Sequence, residues 1–211
     1  PFGGLYDGYA SSLKKRILDP IGMSATTLSF EEVLARGDYA LPHEISLISG
    51  AYEPLDLDAE RILTPVAPAG AHWSTAADMA KYLITQLNAG VAPSGIRVVS
   101  EENLRRTWEP QVPISATDSY GLGWMVGEYK GLPVLYHGGN TLGFTSDFAF
   151  LPSAGIGVVV LANAQLASEF AVGVRVRLLE LVYGLESEIE PVLAFAREQI
   201  DQAVAEIQRG L

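Results

Sequence analysis

The residues best suited to chemistry are His137, Gly138, Gly139 and Asn140, which follow the apolar segment Leu132–Tyr136. An imidazole changes its charge near neutral pH, and two glycines at the end of a strand let a substrate approach the backbone closely. A turn, or a buried histidine with satisfied hydrogen bonds, produces the same short pattern. The pattern therefore marks a candidate site, and other residues must decide its chemistry.

The spacing Ser-x-x-Lys occurs twice, from Ser11 to Lys14 and from Ser12 to Lys15. This spacing puts a hydroxyl and an amine one helical turn apart, which is the arrangement that a Ser–Lys nucleophile requires. The pattern also arises readily by chance, and here both pairs lie on the polar face of a predicted helix, shortly before Pro20. We interpret them as surface residues and not as the nucleophile.

The sequence argues against a metal site and against cysteine chemistry. His43 and His72 lie in a stretch without a regular pattern, and we interpret both as structural. Without cysteine, the chain has no disulfide, no Cys-ligated zinc and no thiol nucleophile. A metal site also needs clustered ligands such as His-x-x-x-His, which the sequence lacks. We therefore expect neither a metal nor another cofactor.

Composition indicates a globular protein whose charge does not suit polyanions. The chain has 211 residues, of which 48% are hydrophobic, and a formal net charge of -11. Binding to nucleic acid or to an anionic membrane needs clustered Lys and Arg, so we expect neither partner. No apolar run approaches the roughly 18 residues of a membrane span. Soluble periplasmic, secreted and cytoplasmic locations all stay open, because a chain without cysteine tolerates either redox environment.

Four closely spaced strands are predicted around the candidate site, at Tyr120–Tyr129, Leu132–His137, Phe144–Pro152 and Ile156–Asn163. Strands joined by such short breaks pair antiparallel. In the last strand, Val158–Leu161 is apolar without alternation, so we expect both of its faces to be covered.

Apolar residues at helical spacing, together with capping signals, predict six helices. Their ranges are Tyr6–Leu18, ended by Pro20, and Ser29–Ala35, Ser74–Leu87, Glu101–Trp108, Ala164–Tyr183 and Glu186–Leu211. On the fifth helix we expect an apolar stripe to face the sheet, formed by Phe170, Val174, Leu178 and Leu181. The stretch Gly37–Pro68 is rich in proline and is predicted to be irregular.

Four segments, in order, resemble the motifs of the serine β-lactamase-like, penicillin-recognising hydrolases. Arg16–Thr26 resembles the family's "PLGM..T" signature, and Pro68–Ala80 looks like its "aGgl.ST..DmA" stretch. Tyr120–Trp124 resembles its "YGlGW" strand. His137-Gly138-Gly139, followed by Gly143-Phe144, is similar to the third motif, in which many members replace Lys-Thr-Gly by His-x-Gly. The family includes class C β-lactamases, D-alanyl-D-alanine carboxypeptidases and family VIII carboxylesterases.

The resemblance implies an α+β fold, an α/β sandwich in which helices flank an antiparallel sheet of the β-lactamase/transpeptidase type. It covers only the C-terminal part of the family's catalytic domain, so we expect a fold that is incomplete at the N-terminus. Residues 1–185 would form this part of the domain, and residues 186–211 a C-terminal helical extension or linker. The implied activity is that of a serine hydrolase, acting through an acyl-enzyme on an ester, a β-lactam or a D-amino-acid peptide.

The resemblance also implies roles for residues at the candidate site. His137 would line the active-site strand, where it binds a substrate carboxylate or assists proton transfer, and the backbone N–H of Asn140 would be one of two oxyanion-hole donors. Histidine in place of the family's lysine favours esterase or peptidase activity over β-lactamase activity. The expected substrate is a small molecule or a peptide. The residues expected to bind it are Gly138, Gly139, Thr141, Tyr39 and Tyr52.

Of two catalytic motifs of the family, one is absent from these residues and the other does not occur at its expected place in the chain. The chain contains no Tyr-x-Asn, and in full-length members the nucleophilic Ser-x-x-Lys precedes that motif. We therefore expect the nucleophile in an N-terminal segment of the same protein or in a second chain, and we expect the 211 residues alone to be inactive. Two alternatives stay open: a non-catalytic binding or scaffold module with this fold, and one half of a split enzyme.

Overall fold

The computed structural model describes residues 3–46 and 48–210. Its first helical segment comprises α1 (Gly3–Leu13), a π-helical turn (Lys14–Leu18) and α2 (Asp19–Ile21). The predicted end at Pro20 is wrong, because this proline lies in the first turn of α2, where its missing N–H has no role. Gly22 ends the segment instead, in the left-handed conformation that glycine adopts without strain (φ 83°).

Three further helices begin at hydroxyl caps, as the sequence predicts. In each of them the capping side chain accepts a backbone N–H from the first turn, which leaves one fewer N–H without a partner. The helices are α3 (Phe30–Arg36, capped by Ser29), α4 (Ala76–Leu87, capped by Thr75) and α5 (Glu101–Thr107, capped by Ser100).

The stretch predicted to be irregular contains regular structure. β1 (His43–Ile45) and β2 (Tyr52–Pro54) pair antiparallel in a two-stranded sheet, and a 3₁₀-helical segment spans Leu57–Ala69. The prediction for Gly37–Pro68 is therefore wrong. Strands of three residues are too short to show alternation, and a 3₁₀ segment with prolines lacks the period of an α-helix.

Within the described residues, the main sheet has six strands, and their order in the sheet follows their order in the chain. They are β3 (Val112–Pro113), β4 (Ser119–Tyr120), β5 (Met125–Tyr129), β6 (Leu132–Asn140), β7 (Thr145–Leu151) and β8 (Ile156–Ala162). The first four of these strands pair antiparallel in the recorded register. The predicted α+β fold with an antiparallel sheet is confirmed.

Two strand boundaries differ from the prediction. The strand predicted at Tyr120–Tyr129 is interrupted, since a turn at residues 121–124 separates β4 from β5, and Gly123 in that turn has φ 86°. β6 extends three residues beyond the predicted end at His137, up to Asn140. The candidate site residues therefore occupy the end of a long strand and not the loop after it.

The last strand of the described sheet, β8, is more exposed than its sequence predicts. Each of its residues is half-buried or exposed, and Leu161 keeps 43% of its surface accessible. The expectation that Val158–Leu161 is covered on both faces is wrong. An apolar run without alternation shows that both faces can be buried, but the chain that packs on them decides whether they are.

The chain divides into two compact units. The first comprises Pro1–Tyr39, Leu63–His137 and Phe148–Val159, and the second Ala40–Ile62, Gly138–Asp147 and Val160–Leu211. Two clusters of buried apolar side chains form the core of the first unit. One consists of Leu18, Ile21, Met23 and Ala92, and the other of Leu83, Trp124, Leu135 and Phe150.

The second unit ends in two helices, α6 (Ser168–Tyr183) and α7 (Ile189–Gly210). The apolar stripe predicted on α6 is wrong, because Phe170, Val174 and Leu181 are exposed. The buried residues of α6 are instead Ala171, Gly173, Arg175, Leu179 and Glu180.

Two of these buried residues are charged, which explains why the apolar pattern failed to locate this face. Arg175 pairs with Asp147, which is also buried, through Nε and Oδ2 at 3.0 Å. Glu180 is fully buried and accepts the backbone N–H of Glu188 at 2.8 Å. Charged side chains are buried when such partners replace water, and a pattern of apolar residues contains no sign of those partners.

The connection between α6 and α7 contains the predicted domain boundary at residues 185 and 186. That boundary stays a prediction. No described helix combines the length and the hydropathy that crossing a membrane requires.

Candidate functional site

His137 lies near the end of β6, and its ring is half-buried against two aromatic side chains of the first unit. The Tyr120 hydroxyl lies 3.1 Å from the ring atom Nε2, with the two rings at 68°. Phe148 stacks on the imidazole with ring centroids 6.1 Å apart. These contacts hold the imidazole in one orientation while part of its surface stays accessible.

Strand register brings the backbone of Tyr120 near that of His137, two strands away in the sheet. Tyr120 of β4 pairs with Met125 of β5, and Met125 pairs with Tyr136, the residue before His137 in β6. The two site residues are thus brought together across the sheet from positions 17 residues apart in the chain. The sequence does not predict Tyr120 as a site residue. The one signal that could have found it is its place at the start of the YGLGW segment.

The ring that stacks on His137 belongs to a larger aromatic cluster. Trp124 is 3% exposed and contacts Phe148 edge-on at a centroid distance of 5.5 Å. Tyr82 stacks on Trp124, and burial raises the pKa of Tyr82 to about 12, so this phenol is neutral at physiological pH. The YGLGW segment therefore contributes both the Tyr120 hydroxyl and the tryptophan behind Phe148.

Gly138 and Gly139 permit a close approach of the neighbouring strand. A Cβ atom at Gly139 would lie 3.1 Å from Ser146 Oγ, and one at Gly138 would lie 3.5 Å from the Ser146 carbonyl oxygen. Neither glycine has a positive φ, so the backbone conformation itself does not require glycine. The protein's own packing therefore contributes to the need for glycine at 139, and contact with substrate stays a prediction.

Asn140, the last residue of β6, is anchored through its side chain in the second unit. Its Oδ1 lies 2.9 Å from the Thr145 hydroxyl, and its amide nitrogen lies 3.1 Å from Ser168 Oγ. Thr145 is buried, and its hydroxyl also lies 2.8 Å from the Ala164 carbonyl oxygen. These contacts hold Asn140 in place, which is what a pre-organised oxyanion donor requires of its backbone.

A buried carboxylate holds the turn after β6. Glu60 is 5% exposed, and its Oε1 accepts the Thr141 hydroxyl at 3.0 Å and the Gly143 N–H at 2.8 Å. Glycine is required at 143, because a Cβ there would lie 2.3 Å from the Cβ of Pro42. Sequence reasoning missed Glu60, which no spacing distinguishes from a surface acid. Thr141 donates its hydroxyl to Glu60, so a substrate would compete with this bond.

The two tyrosines expected to contact the substrate have different environments. Tyr39 is half-buried in the first unit, in the loop after α3. Tyr52 lies in β2 of the second unit, is 48% exposed, and donates its hydroxyl to the Gln165 carbonyl at 2.8 Å. Burial and the negative charge of Glu169 raise the pKa of Tyr52, which keeps its phenol neutral. Both substrate contacts stay predictions.

The other polar candidates have surroundings that suit structural roles. Ser11 is exposed, and Lys14 pairs with Asp19 at 2.5 Å, which agrees with their interpretation as surface residues. His43 Nδ1 lies 2.9 Å from the Leu41 carbonyl oxygen. Among the described residues, no group of three His, Asp or Glu side chains is arranged to hold a metal ion.

Known proteins are similar to this chain over most of its length. The family model for Beta-lactamase matches residues 3–182, a range that contains all four motif segments. Unguisins hydrolase ungD' of Aspergillus campestris (strain IBT 28561) is 31% identical over 163 residues, which are 75% of this chain and 29% of that protein. Penicillin-binding protein 4 of Amycolatopsis lactamdurans is 27% identical over 164 residues, which are 75% of this chain and 42% of that protein.

A solved structure agrees with this match. The octameric penicillin-binding protein homologue from Pyrococcus abyssi has a TM-score of 0.66 at 25% identity, covering 84% of this chain and 38% of that one. The chain thus spans less than half the length of these relatives. Because the matched range extends from α1 through almost all of α6, the chain belongs to the beta-lactamase family of hydrolases.

Proposed function

We propose that the protein to which these residues belong is a serine hydrolase that works through an acyl-enzyme. The observation that carries the proposal is the end of β6. There the half-buried imidazole of His137 and the anchored residue Asn140 lie on one strand, within the range that the beta-lactamase family matches.

Acyl transfer in such an enzyme has two half-reactions. A serine hydroxyl attacks the substrate carbonyl carbon, its proton passes to a general base, and the carbonyl oxygen becomes an oxyanion. The oxyanion collapses, the leaving group departs with a proton, and the acyl group stays on the serine as an ester. Water then attacks the same carbonyl, which releases the acid and restores the serine.

Asn140 has the role of stabilising the oxyanion through its backbone N–H. The second donor is the N–H of the nucleophilic serine, and one such donor contributes about 3 kcal/mol of transition-state stabilisation. The contacts of the Asn140 side chain with Thr145 and Ser168 support this role. A donor that is already fixed needs no reorganisation when the charge forms.

The attacking hydroxyl comes from a Ser-x-x-Lys sequence that is not among these 211 residues. Ser11 and Ser12 are exposed, and the ion pair of Lys14 with Asp19 occupies the amine that would activate Ser11. By this proposal the 211 residues alone carry out no acyl transfer.

The substrate is an ester or a D-amino-acid peptide, and less readily a β-lactam. His137 stands where other members of the family have lysine, and an imidazole lacks the permanent charge with which an ammonium binds a β-lactam carboxylate. The names of two relatives, a hydrolase and a penicillin-binding protein, support this class of carboxyl derivatives.

A burst experiment tests the proposal. The full-length protein and the 211-residue chain are each mixed with a chromogenic ester, with nitrocefin and with a D-alanyl anilide. We expect a stoichiometric burst from the full-length protein with the ester or the anilide, and none from the 211 residues. A burst from the 211 residues alone would refute the assignment of the nucleophile.

Two other outcomes separate the alternatives. A full-length protein that binds these compounds but releases no product would instead be a binding or scaffold module with a hydrolase fold. A burst that requires a second, separately encoded chain would identify a split enzyme.

A further inference from the structure

The contact between Tyr120 and His137 decides which ring nitrogen of the histidine carries its proton. The hydroxyl lies 3.1 Å from Nε2, and both residues belong to the first unit. Among the residues that the structure describes, Nε2 is the one hydrogen-bond partner of this hydroxyl. The backbone of Tyr120 is fixed as well, because it pairs with Val112 on one side and Met125 on the other.

The direction of this hydrogen bond follows from the chemistry of the two groups. A neutral imidazole has one N–H donor and one strongly accepting nitrogen, and the bond made by one nitrogen sets the state of the other. A phenol is a good donor, and its oxygen is a weaker acceptor than an imidazole nitrogen. The favoured arrangement is therefore O–H donating to Nε2, with the proton of the neutral ring on Nδ1.

We propose that Tyr120 is a positioning residue that holds neutral His137 in its Nδ1–H tautomer, so that His137 offers the substrate a hydrogen-bond donor and does not act as a general base. The reverse arrangement would leave an accepting nitrogen at Nδ1 and the Tyr120 hydrogen without an acceptor in the described chain. Phe148 stacks against one face of the imidazole, with the ring centroids 6.1 Å apart.

The consequence for the substrate rests on the proposed function. Two roles are open for a histidine at this position, namely binding a substrate carboxylate and assisting proton transfer. With Nε2 occupied by Tyr120, Nδ1 has no hydrogen-bond partner among the residues that the structure describes, and as an N–H it pairs with an oxygen acceptor of the substrate. The substrate class is therefore one that presents a carboxylate or carbonyl oxygen to His137, in addition to the carbonyl that is attacked.

Nitrogen-15 NMR measures the tautomer without reference to activity. The full-length protein is labelled with ¹⁵N-histidine and studied at pH about 9, where an ordinary imidazole is neutral. The His137 signals are assigned by their loss in His137→Asn. We expect the Nδ1–H form in the unaltered protein and a shift towards Nε2–H in Tyr120→Phe, which lacks the hydroxyl.

Tyr136→Phe is the matched control. Tyr136 is the neighbour of His137 in β6, but its hydroxyl donates to Asp118 at 3.0 Å. Tyr136→Phe removes one phenol hydroxyl from the same sheet and should leave the tautomer of His137 unchanged. An Nε2–H tautomer in the unaltered protein, or one that Tyr120→Phe does not alter, would overturn the proposal.

A kinetic comparison then tests the donor role. The probes are a p-nitrophenyl ester that carries a free carboxylate and its methyl-ester analogue. Tyr120→Phe should raise KM for the carboxylate probe about tenfold, the size expected for one hydrogen bond to a charged group, with a smaller effect on its analogue. Equal losses with both probes would show a merely structural role. Failure of the full-length protein to turn over either probe would refute the proposed function and leave the tautomer result standing.

Discussion

Asp78 carries a charge that is almost fully buried in the first unit, at 2% exposure. Its Oδ2 accepts the Ala25 N–H at 2.8 Å and the Thr26 hydroxyl at 3.0 Å, and its Oδ1 lies 2.9 Å from Lys81 Nζ. Burial by itself would raise the pKa of this carboxyl, but these partners outweigh burial and hold the pKa below its ordinary value. The ionised carboxylate therefore joins two of the four motif segments and stabilises the folded state.

The change Asp78→Asn should lower the free energy of unfolding by about 2 kcal/mol at neutral pH, because it removes charged hydrogen bonds from a buried site. A depressed folded-state pKa stabilises the fold above the ordinary carboxyl pKa, and this stabilisation is lost as the pH falls through the folded value. The loss in free energy of unfolding caused by Asp78→Asn should therefore be smaller in acid than at neutral pH. Urea unfolding at neutral pH and at about pH 3 measures it.

Asp19→Asn is the control for the change in charge. The Asp19 side chain is 55% exposed and pairs with Lys14 at the surface, so its loss should alter stability by no more than about 0.5 kcal/mol. If Asp78→Asn lowered the free energy of unfolding no more than Asp19→Asn does, the stabilising role of Asp78 would be wrong. A loss at Asp78 that does not depend on pH would contradict it as well.

Residue types and short spacings located His137, but not the groups that hold the site around it. Tyr120 is 17 positions from His137, and Glu60 is 83 positions from Gly143. Such contacts depend on the register of the sheet and on the course of the chain, which no local pattern contains. The family resemblance gave the positions of the motifs. The residues that contact them, such as Tyr120 and Glu60, could be found only from the three-dimensional structure.

At the scale of elements, the turn after β6 is held from outside by Glu60. The change Glu60→Ala should lower the free energy of unfolding by about 2 to 3 kcal/mol, because it leaves the Thr141 hydroxyl and the buried Gly143 N–H without their acceptor. Hydrogen exchange at the Gly143 amide should speed up in the same variant. Chemical unfolding and exchange measured by NMR check both effects.

Glu53→Ala provides a comparison at an exposed carboxylate of the same unit. Glu53 accepts the Ser49 hydroxyl at 2.7 Å on the surface of β2, so its loss should change stability by less than about 0.5 kcal/mol. Equal effects of the two variants, with unaltered exchange at Gly143, would show that Glu60 does not hold the turn.

Elements with strong local signals were predictable, and those without them were not. The caps of α3 and α5 and the consecutive strands β6, β7 and β8 were found because hydroxyl caps, turns and apolar runs are local features. β1 and β2 are too short for a period. The buried side of α6 was missed because two of its residues, Arg175 and Glu180, are charged and do not enter an apolar pattern.

At the scale of the whole molecule, membership of the beta-lactamase family was predictable in spite of these errors. The four motif segments each depend on a short run of residues, so misplaced strand ends and a misread helix face do not disturb them. The activity of the whole protein is a separate question. The chain spans less than half the length of these relatives, so the activity of the whole protein stays a proposal.

The most direct test of the central claim is to find the residue that becomes acylated. The full-length protein is incubated with a chromogenic ester and quenched in acid, and the added acyl mass is located by peptide mass spectrometry. We expect one acyl group, on the serine of a Ser-x-x-Lys sequence outside these 211 residues. An acyl group on Ser11 or Ser12, or steady turnover with no acylated serine, would contradict this expectation.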